Sequence, residues 1–252
     1  MQYITYDKNG HAVCGHPRFL KLQNGVVQCT PAWFKQRKNR LTGSKYANLY
    51  FINSEEEYHA YWEQVWNRGP RPDFSEVAKG YMEYGKKHED IALSHFLQQS
   101  PTIGDIYVAE APFFPHTLPY LGASPDGLYA IYGADGKIAQ EGIIEIKCPA
   151  KDRRPYAHFK KYYLAQTYAE MACAGVNTTI AVSWGPKNMR AWRWSFDPAV
   201  WSIICNMIEG FRSHVSYDAF RELQHELIEA SDKVVNNAEC LHVGKGFPIP
   251  HT

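Results

Sequence analysis

Three charged residues in the middle of the chain, Asp126, Glu145 and Lys147, have the types and spacing of a hydrolytic metal centre. Asp126 stands in a Ser-Pro-Asp-Gly sequence, which is typical of a turn. Glu145 and Lys147 belong to an apolar run that reads as a strand, and side chains two residues apart share one face of a strand. Because Asp135-Gly136 predicts a hairpin between them, adjacent strands can bring Asp126 beside Glu145.

Two carboxylates at one edge of a sheet provide the hard oxygen ligands that suit Mg²⁺ or Mn²⁺. Without a cation they would repel each other, and one would have to take up a proton. A bound metal would polarise a phosphate and lower the pKa of a bound water. Lys147 could orient that water or stabilise the charge that develops at phosphorus. A Glu-x-Lys pattern is common, however, and an exposed surface strand explains this spacing equally well.

The elements that position these residues indicate an α/β fold with a central mixed sheet flanked by helices. Thr30-Pro31 predicts the start of a short helix that runs to about residue 40, and Ser54 with Glu57 predicts a capping box. Further helices are expected at 75–99, at 155–174 and, as a pair, over 198–231. Strands are expected at 106–111, 120–123, 128–132, 143–147, 178–184 and 189–196.

We expect these elements to form one domain over residues 1–252. Residues 1–29 are expected to be an irregular extension with a short hairpin at most, residues 30–175 to carry the core motifs, and residues 176–252 to form a hairpin and helices.

Composition limits the class of protein. A hydrophobic content of 45% over 252 residues is enough for a sizeable core. No apolar run is long enough to span a bilayer, and the first ten residues lack the pattern of a signal peptide. The six cysteines form no C-x-x-C pair, so a disulfide framework is not expected. We therefore expect an intracellular, soluble protein that does not act at a membrane.

Two clusters of basic residues stand out against a net charge of only +1. The cluster in residues 31–45 contains no acidic residue, and the cluster in residues 151–161 contains one. Aromatic side chains accompany the second cluster, a combination that suits a phosphate backbone with occasional base stacking. Either cluster alone could equally be a solvated face. The basic residues are Lys35, Arg37, Lys38, Arg40 and Lys45, and then Lys151, Arg153, Arg154, Lys160 and Lys161.

Two sequence blocks around the charged residues resemble a known signature. Gly122–Leu128 (GASPDGL) and then Gly142–Pro149 (GIIEIKCP) are similar to the core of the lambda-exonuclease-like branch (YqaJ-type viral recombinases) of the PD-(D/E)xK nuclease superfamily. Three more segments resemble that family's blocks, in its order. They are Trp33–Arg37 with Leu41–Ser44, the "G-x-x-x-E" helix at Tyr84–Glu89, and the "Y-x-x-Q" helix at Tyr163–Gln166.

The resemblance implies a restriction-endonuclease-like core and a metal centre. Asp126 and Glu145, together with the backbone carbonyl of Ile146, would ligate two Mg²⁺ or Mn²⁺ ions. Glu89 would add a ligand from its helix, and Lys147 would position the attacking water.

The resemblance also implies a pocket for the end of a DNA strand. Arg37, Ser44 and Ser124 would bind the 5′-phosphate, and Gln166 would lie near the catalytic centre. Taken alone, Arg37 could instead be a general contact to the backbone, and Gln166 an ordinary exposed helix residue.

From these implications we expect a metal-dependent deoxyribonuclease, a 5′→3′ exonuclease on linear duplex DNA that generates 3′ single strands for recombination or repair. Double-stranded DNA ends would be its substrate, a single-strand annealing protein its partner, and a homo-trimer its assembly. A viral or phage origin fits the family, with the cytoplasm or the nucleus of a eukaryotic host as the site of action. The alternatives are a structure-specific or restriction-like endonuclease of the same superfamily, and a non-catalytic nucleic-acid-binding protein.

Overall fold

A mixed β-sheet forms the centre of the computed structural model, which describes residues 4–6, 12–14, 26, 28–43, 45–66, 73–99, 105–109 and 111–245. The strands are β1 (Ile4–Tyr6), β2 (Ala12–Cys14), β3 (Asp105–Ala109), β4 (Phe114–Pro115), β5 (Gly122–Ala123), β6 (Gly127–Tyr132), β7 (Ile138–Lys147), β8 (Thr178–Gly185), β9 (Asn188–Ser195) and β10 (Glu239–Lys245). The helices are α1 (Pro31–Gln36), α2 (Lys45–Asn48), α3 (Glu55–Val65), α4 (Glu76–Gln99), α5 (Leu164–Ala174), α6 (Pro198–Arg212) and α7 (Tyr217–Asn236).

Eight strands form the sheet in the order β10-β9-β8-β7-β6-β3-β1-β2, and β4 with β5 forms a separate pair. β7 and β8 run parallel, whereas the other neighbours in the large sheet run antiparallel. Parallel neighbours require a crossover connection, and α5 lies within it. These features confirm the predicted fold class, a mixed sheet flanked by helices.

The two faces of the sheet are covered by different helices. Ile144 and Ile146 of β7 belong to a buried cluster that includes residues of α4. Ile143 belongs to a second cluster, which includes residues of α5, α6 and α7. Because side chains alternate along a strand, Glu145 and Lys147 project to the same side as Ile143.

The local signals for helix starts are confirmed. The Thr30 side chain accepts a hydrogen bond from the Trp33 backbone N–H at 3.2 Å. The Ser54 hydroxyl accepts from the Glu57 N–H at 3.2 Å, while the Glu57 carboxylate accepts from the Asn53 N–H at 2.8 Å. The first two bonds satisfy N–H groups of the first helical turn, which have no partner within the helix, and the third fixes the residue before the N-cap.

The hairpin between β6 and β7 is also confirmed. Gly136 has a φ of +73°, a left-handed conformation that favours glycine. The Gly133 N–H donates to the Lys137 carbonyl at 2.9 Å and closes the turn.

Three helix predictions were wrong at one end. The last helix, α7, continues to Asn236 rather than ending near residue 231. α1 ends at Gln36 rather than near Arg40. The crossover helix begins at Leu164, after a 3-10 turn, and not at Pro155. Tertiary contacts outweigh helical propensity before that turn: Phe159 is buried in the core, and the Tyr156 N–H donates to the Ser183 hydroxyl at 2.9 Å.

The two ends of the chain contribute strands, of which β10 was not predicted from the sequence patterns. β1 and β2 form a short hairpin, as the sequence analysis allowed for residues 1–29, and β1 also pairs with β3, so part of this extension lies within the sheet. β10 pairs antiparallel with β9 at the opposite edge. Among the helices that the structure describes, none is both apolar enough and long enough to cross a membrane.

Candidate active site

The pairing of β6 with β7 places Asp126 beside Glu145. Gly127 lies opposite Ile144 in this antiparallel pair. Asp126, which precedes Gly127, therefore comes next to Glu145, which follows Ile144. A Cβ atom on Gly127 would lie 2.7 Å from the Ile144 side chain and 2.8 Å from that of Val108. Glycine therefore allows the close approach of these strands directly after Asp126.

The Asp126 carboxylate is anchored to the neighbouring strand. Its Oδ2 accepts a hydrogen bond of 2.7 Å from the backbone N–H of Ile146. This contact holds one carboxylate oxygen beside the Glu145-Ile146-Lys147 segment.

Glu145 is buried, and its two carboxylate oxygens have different surroundings. Oε1 accepts hydrogen bonds from the Lys147 ammonium and, at 2.6 Å, from the Gln166 amide. Oε2 is buried and has no hydrogen-bond partner. The Lys147 Nζ also lies over the Tyr163 ring, 4.5 Å from its centroid.

The charges in this cluster act strongly on one another. Burial raises the pKa of Asp126 well above its ordinary value, and the nearby charge of Glu145 adds to the effect. Burial raises the pKa of Glu89 as well, and Glu145 again contributes. Burial alone would lower the pKa of Lys147, but the carboxylates of Glu145 and Asp126 outweigh it and raise that pKa. Glu89, from α4, therefore shares one electrostatic cluster with the three central residues.

These donors fit a hard divalent cation. Crowded carboxylates with raised pKa values and an unpartnered Glu145 Oε2 are features that a bound cation would relieve. Within the described part of the chain, no group of three or more His, Cys, Asp or Glu side chains forms a ready-made cage. A bound Mg²⁺ would therefore keep several water ligands, as this ion usually does.

Gln166 connects the centre to a residue that the sequence analysis missed. Its Nε2 donates to Glu145 Oε1 at 2.6 Å and to Glu170 Oε1 at 2.8 Å. Glu170 has no exposed surface, and burial followed by the charge of Glu145 raises its pKa well above the ordinary value. Glu170 follows Gln166 by four residues in a predicted helix, which places both on one helix face, and this spacing was the sequence signal that could have identified it.

The structure also brings together part of the predicted phosphate pocket. The Arg37 guanidinium lies over the Trp33 ring, 4.0 Å from its centroid, and the Trp33 Nε1–H donates to the Ser124 hydroxyl at 2.9 Å. Burial lowers the pKa of Arg37 to about 10, which leaves the guanidinium charged at neutral pH. Trp33 was not among the predicted site residues, although its spacing from Arg37 places both on one helix face. Ser44 lies outside the described residues.

The basic clusters divide into structural and exposed members. Arg40 donates to the Leu121 carbonyl at 2.6 Å, and Lys161 forms an ion pair with Asp232 at 2.7 Å. Arg40 therefore contributes to the fold, whereas Lys161 is engaged in a half-exposed ion pair. The remaining members of the second cluster are exposed: Lys151, Arg153, Arg154 and Lys160.

The fold and this Asp-Glu-Lys cluster are those expected of a PD-(D/E)xK nuclease. The family model of the YqaJ-like viral recombinase domain matches residues 32–177, more than half of the chain. The chain therefore belongs to the YqaJ-like viral recombinase family, the lambda-exonuclease-like branch. Membership confirms both the predicted family and the predicted enzyme class, a phosphodiester hydrolase.

Solved structures show a similar fold. An alkaline exonuclease from Laribacter hongkongensis (LHK-Exo) matches with a TM-score of 0.53 and 22% identity, over 81% of this chain and 97% of that one. LHK-Exo in complex with dAMP matches over the same shares, with 22% identity and a TM-score of 0.51. No curated protein sequence matches the chain.

The charge cluster predicts how pH affects stability without metal. The pKa of Asp126 is raised in the folded protein above its ordinary value of 3.8, so the unfolded chain loses this proton more readily. Stability should therefore fall as the pH rises from about that ordinary value towards the raised one. We expect Asp126→Asn to raise the thermal midpoint of the metal-free protein at pH 7 and to make its stability less dependent on pH. Calorimetry across the pH range measures both effects, and a lower midpoint than that of the wild type would contradict them.

Proposed function

We propose that this protein is a Mg²⁺- or Mn²⁺-dependent 5′→3′ exonuclease that acts on the ends of linear duplex DNA. It would leave 3′ single strands for recombination or repair. The observation that supports this most is a chain of contacts from Arg37 towards the carboxylate centre. Arg37 lies over Trp33, and Trp33 donates to Ser124, which stands two residues before Asp126.

In this proposal Asp126, Glu145, Glu89 and the Ile146 carbonyl would hold the ions. When bound, the ions would supply an activated water and neutralise charge on the phosphate. Lys147 is held beside Glu145 and orients the water that attacks phosphorus. Gln166 limits the movement of Glu145 through its amide bond.

The remaining residues would select the strand end. A terminal phosphate carries more negative charge and more free oxygens than an internal one, so a guanidinium fork binds it most strongly. Arg37 is held against the Trp33 ring, which reduces the freedom that binding would otherwise remove. The Ser124 oxygen accepts from Trp33, which leaves its own hydroxyl hydrogen to donate to the phosphate.

Family membership and the fold of an alkaline exonuclease support this choice over the two alternatives. An endonuclease would not need a pocket for a terminal phosphate beside its centre. A binding protein would gain nothing from clustered carboxylates, because they repel DNA when no metal is present. On the same grounds we propose a single nuclease domain, a homo-trimeric assembly and a single-strand annealing protein as partner.

The test uses end-labelled linear duplex, nicked circles and closed circles, incubated with increasing Mg²⁺ or Mn²⁺. We expect linear duplex to be degraded from its 5′ ends, closed circles to survive, and EDTA to stop the reaction. Attack on closed circles would favour the endonuclease. Absence of cleavage at every metal concentration would favour the binding protein.

A further inference from the structure

The buried carboxyl of Glu170 has no role in the proposed mechanism. It lies on α5, one helical turn after Gln166, and has no exposed surface. Its Oε1 accepts the Gln166 amide at 2.8 Å, and its Oε2 is buried without a partner. Burying a carboxyl group here costs free energy that an apolar side chain would not cost. A function that requires the carboxyl group would explain its presence.

Glu170 determines which way the Gln166 amide points. Both bonds of Gln166 originate from Nε2, one to Glu145 Oε1 and one to Glu170 Oε1, and its own Oε1 is buried without a partner. A rotated amide would place this oxygen against two carboxylate oxygens, which is repulsive. Glu170 therefore keeps the donor side of the amide towards Glu145.

The orientation of the amide affects the metal centre through Glu145. The Gln166 amide and the Lys147 ammonium both donate to Oε1 of this carboxylate. Oε2 is left without a donor and is available to a cation. If Gln166 were free to turn, the Glu145 carboxylate would lose one of the two donors that fix its plane, and its open oxygen could swing away from the metal position.

We infer that Glu170 is a positioning residue, which holds Glu145 through Gln166 so that one carboxylate oxygen stays open to the metal. The effect of Glu170 on cleavage rests on the proposed function, whereas its effect on metal binding does not. Burial raises the pKa of the Glu170 carboxyl, and the nearby charge of Glu145 adds to the effect. Glutamine has the size of the native side chain and keeps an acceptor oxygen for the Gln166 amide.

The test compares Glu170→Gln with Glu170→Leu, which fills a similar volume without an acceptor. Calorimetry measures Mn²⁺ affinity, steady-state kinetics on linear duplex measures kcat, and thermal unfolding reports stability. For Glu170→Leu we expect about tenfold weaker Mn²⁺ binding and about tenfold lower kcat, the scale of one hydrogen bond, with no loss of thermal stability. Glu170→Gln should stay within about twofold of the wild type in all three, on the same scale.

Gln224→Leu is the matched control, because Gln224 is buried in α7 and donates to the Leu49 carbonyl at 2.6 Å, on another part of the core. It should lower stability and leave Mn²⁺ affinity unchanged. Wild-type Mn²⁺ affinity in folded Glu170→Leu, or in Glu170→Met should the leucine variant not fold, would overturn the inference. Weaker Mn²⁺ binding in a protein that cleaves no DNA would support the inference and refute the proposed function.

Discussion

Asp126→Ala, Glu145→Ala and Lys147→Ala should each lower the rate of cleavage of linear duplex DNA by roughly a hundredfold or more. The first two changes remove carboxylate ligands from the proposed metal centre, and the third removes the ammonium group beside Glu145. Single-turnover cleavage at saturating Mg²⁺ measures the effect on the chemical step. Circular dichroism verifies that each variant is folded.

The β6–β7 hairpin offers matched controls, since Asp135 and Lys137 are exposed and form a weak contact of 3.9 Å at its turn. Asp135→Ala and Lys137→Ala should cleave at the wild-type rate. In the absence of metal, the two carboxylate variants should bind DNA as well as the wild type or better, because less negative charge faces the phosphates. A folded variant of any of the three central residues with a near-normal rate would disprove its assigned role.

The second large effect concerns the 5′ end of the DNA. The wild type should cut 5′-phosphorylated ends about tenfold faster than 5′-hydroxyl ends, the scale of one charge-assisted bond. Arg37→Ala should abolish that preference while changing the rate on hydroxyl ends far less. Paired substrates that differ only in the terminal phosphate, tested at two salt concentrations, measure both quantities.

Two further variants separate the pocket from general DNA binding. Lys38 is an exposed neighbour of Arg37, and Lys38→Ala should slow both substrates equally and recover at low salt. Trp33→Phe keeps a ring beneath Arg37 but loses the bond to Ser124, so a reduced preference is expected. If Arg37→Ala behaves like Lys38→Ala, with equal slowing and rescue by low salt, the phosphate pocket does not exist.

Local chemistry made the central part of the fold predictable. The Asp135-Gly136 turn and the apolar alternation around Glu145 are signals that a few residues carry by themselves, and both are confirmed. The caps at Thr30 and Ser54 are local in the same sense.

Features that depend on distant contacts were not predictable. The start of the crossover helix depends on the burial of Phe159, and β10 depends on pairing with β9. Trp33 and Glu170 have roles only because of their partners, Ser124 and the Gln166 amide. Residue types at helical spacing could suggest such pairs, but a single sequence contains no information on what lies opposite them.

The parallel pairing of β7 with β8 also bears on the order of folding. Asp126 and Glu145 can meet when the short hairpin closes, a local event that leaves both carboxylates in water. We expect α5 to bring Gln166 and Glu170 later, when the longer crossover closes, and its docking to exclude water from the two carboxylates. The cost of dehydrating the charges therefore falls on the docking of α5, and a divalent ion captured by the open hairpin would lower that barrier. The ion proposed for cleavage would then also serve the chain as a folding ligand.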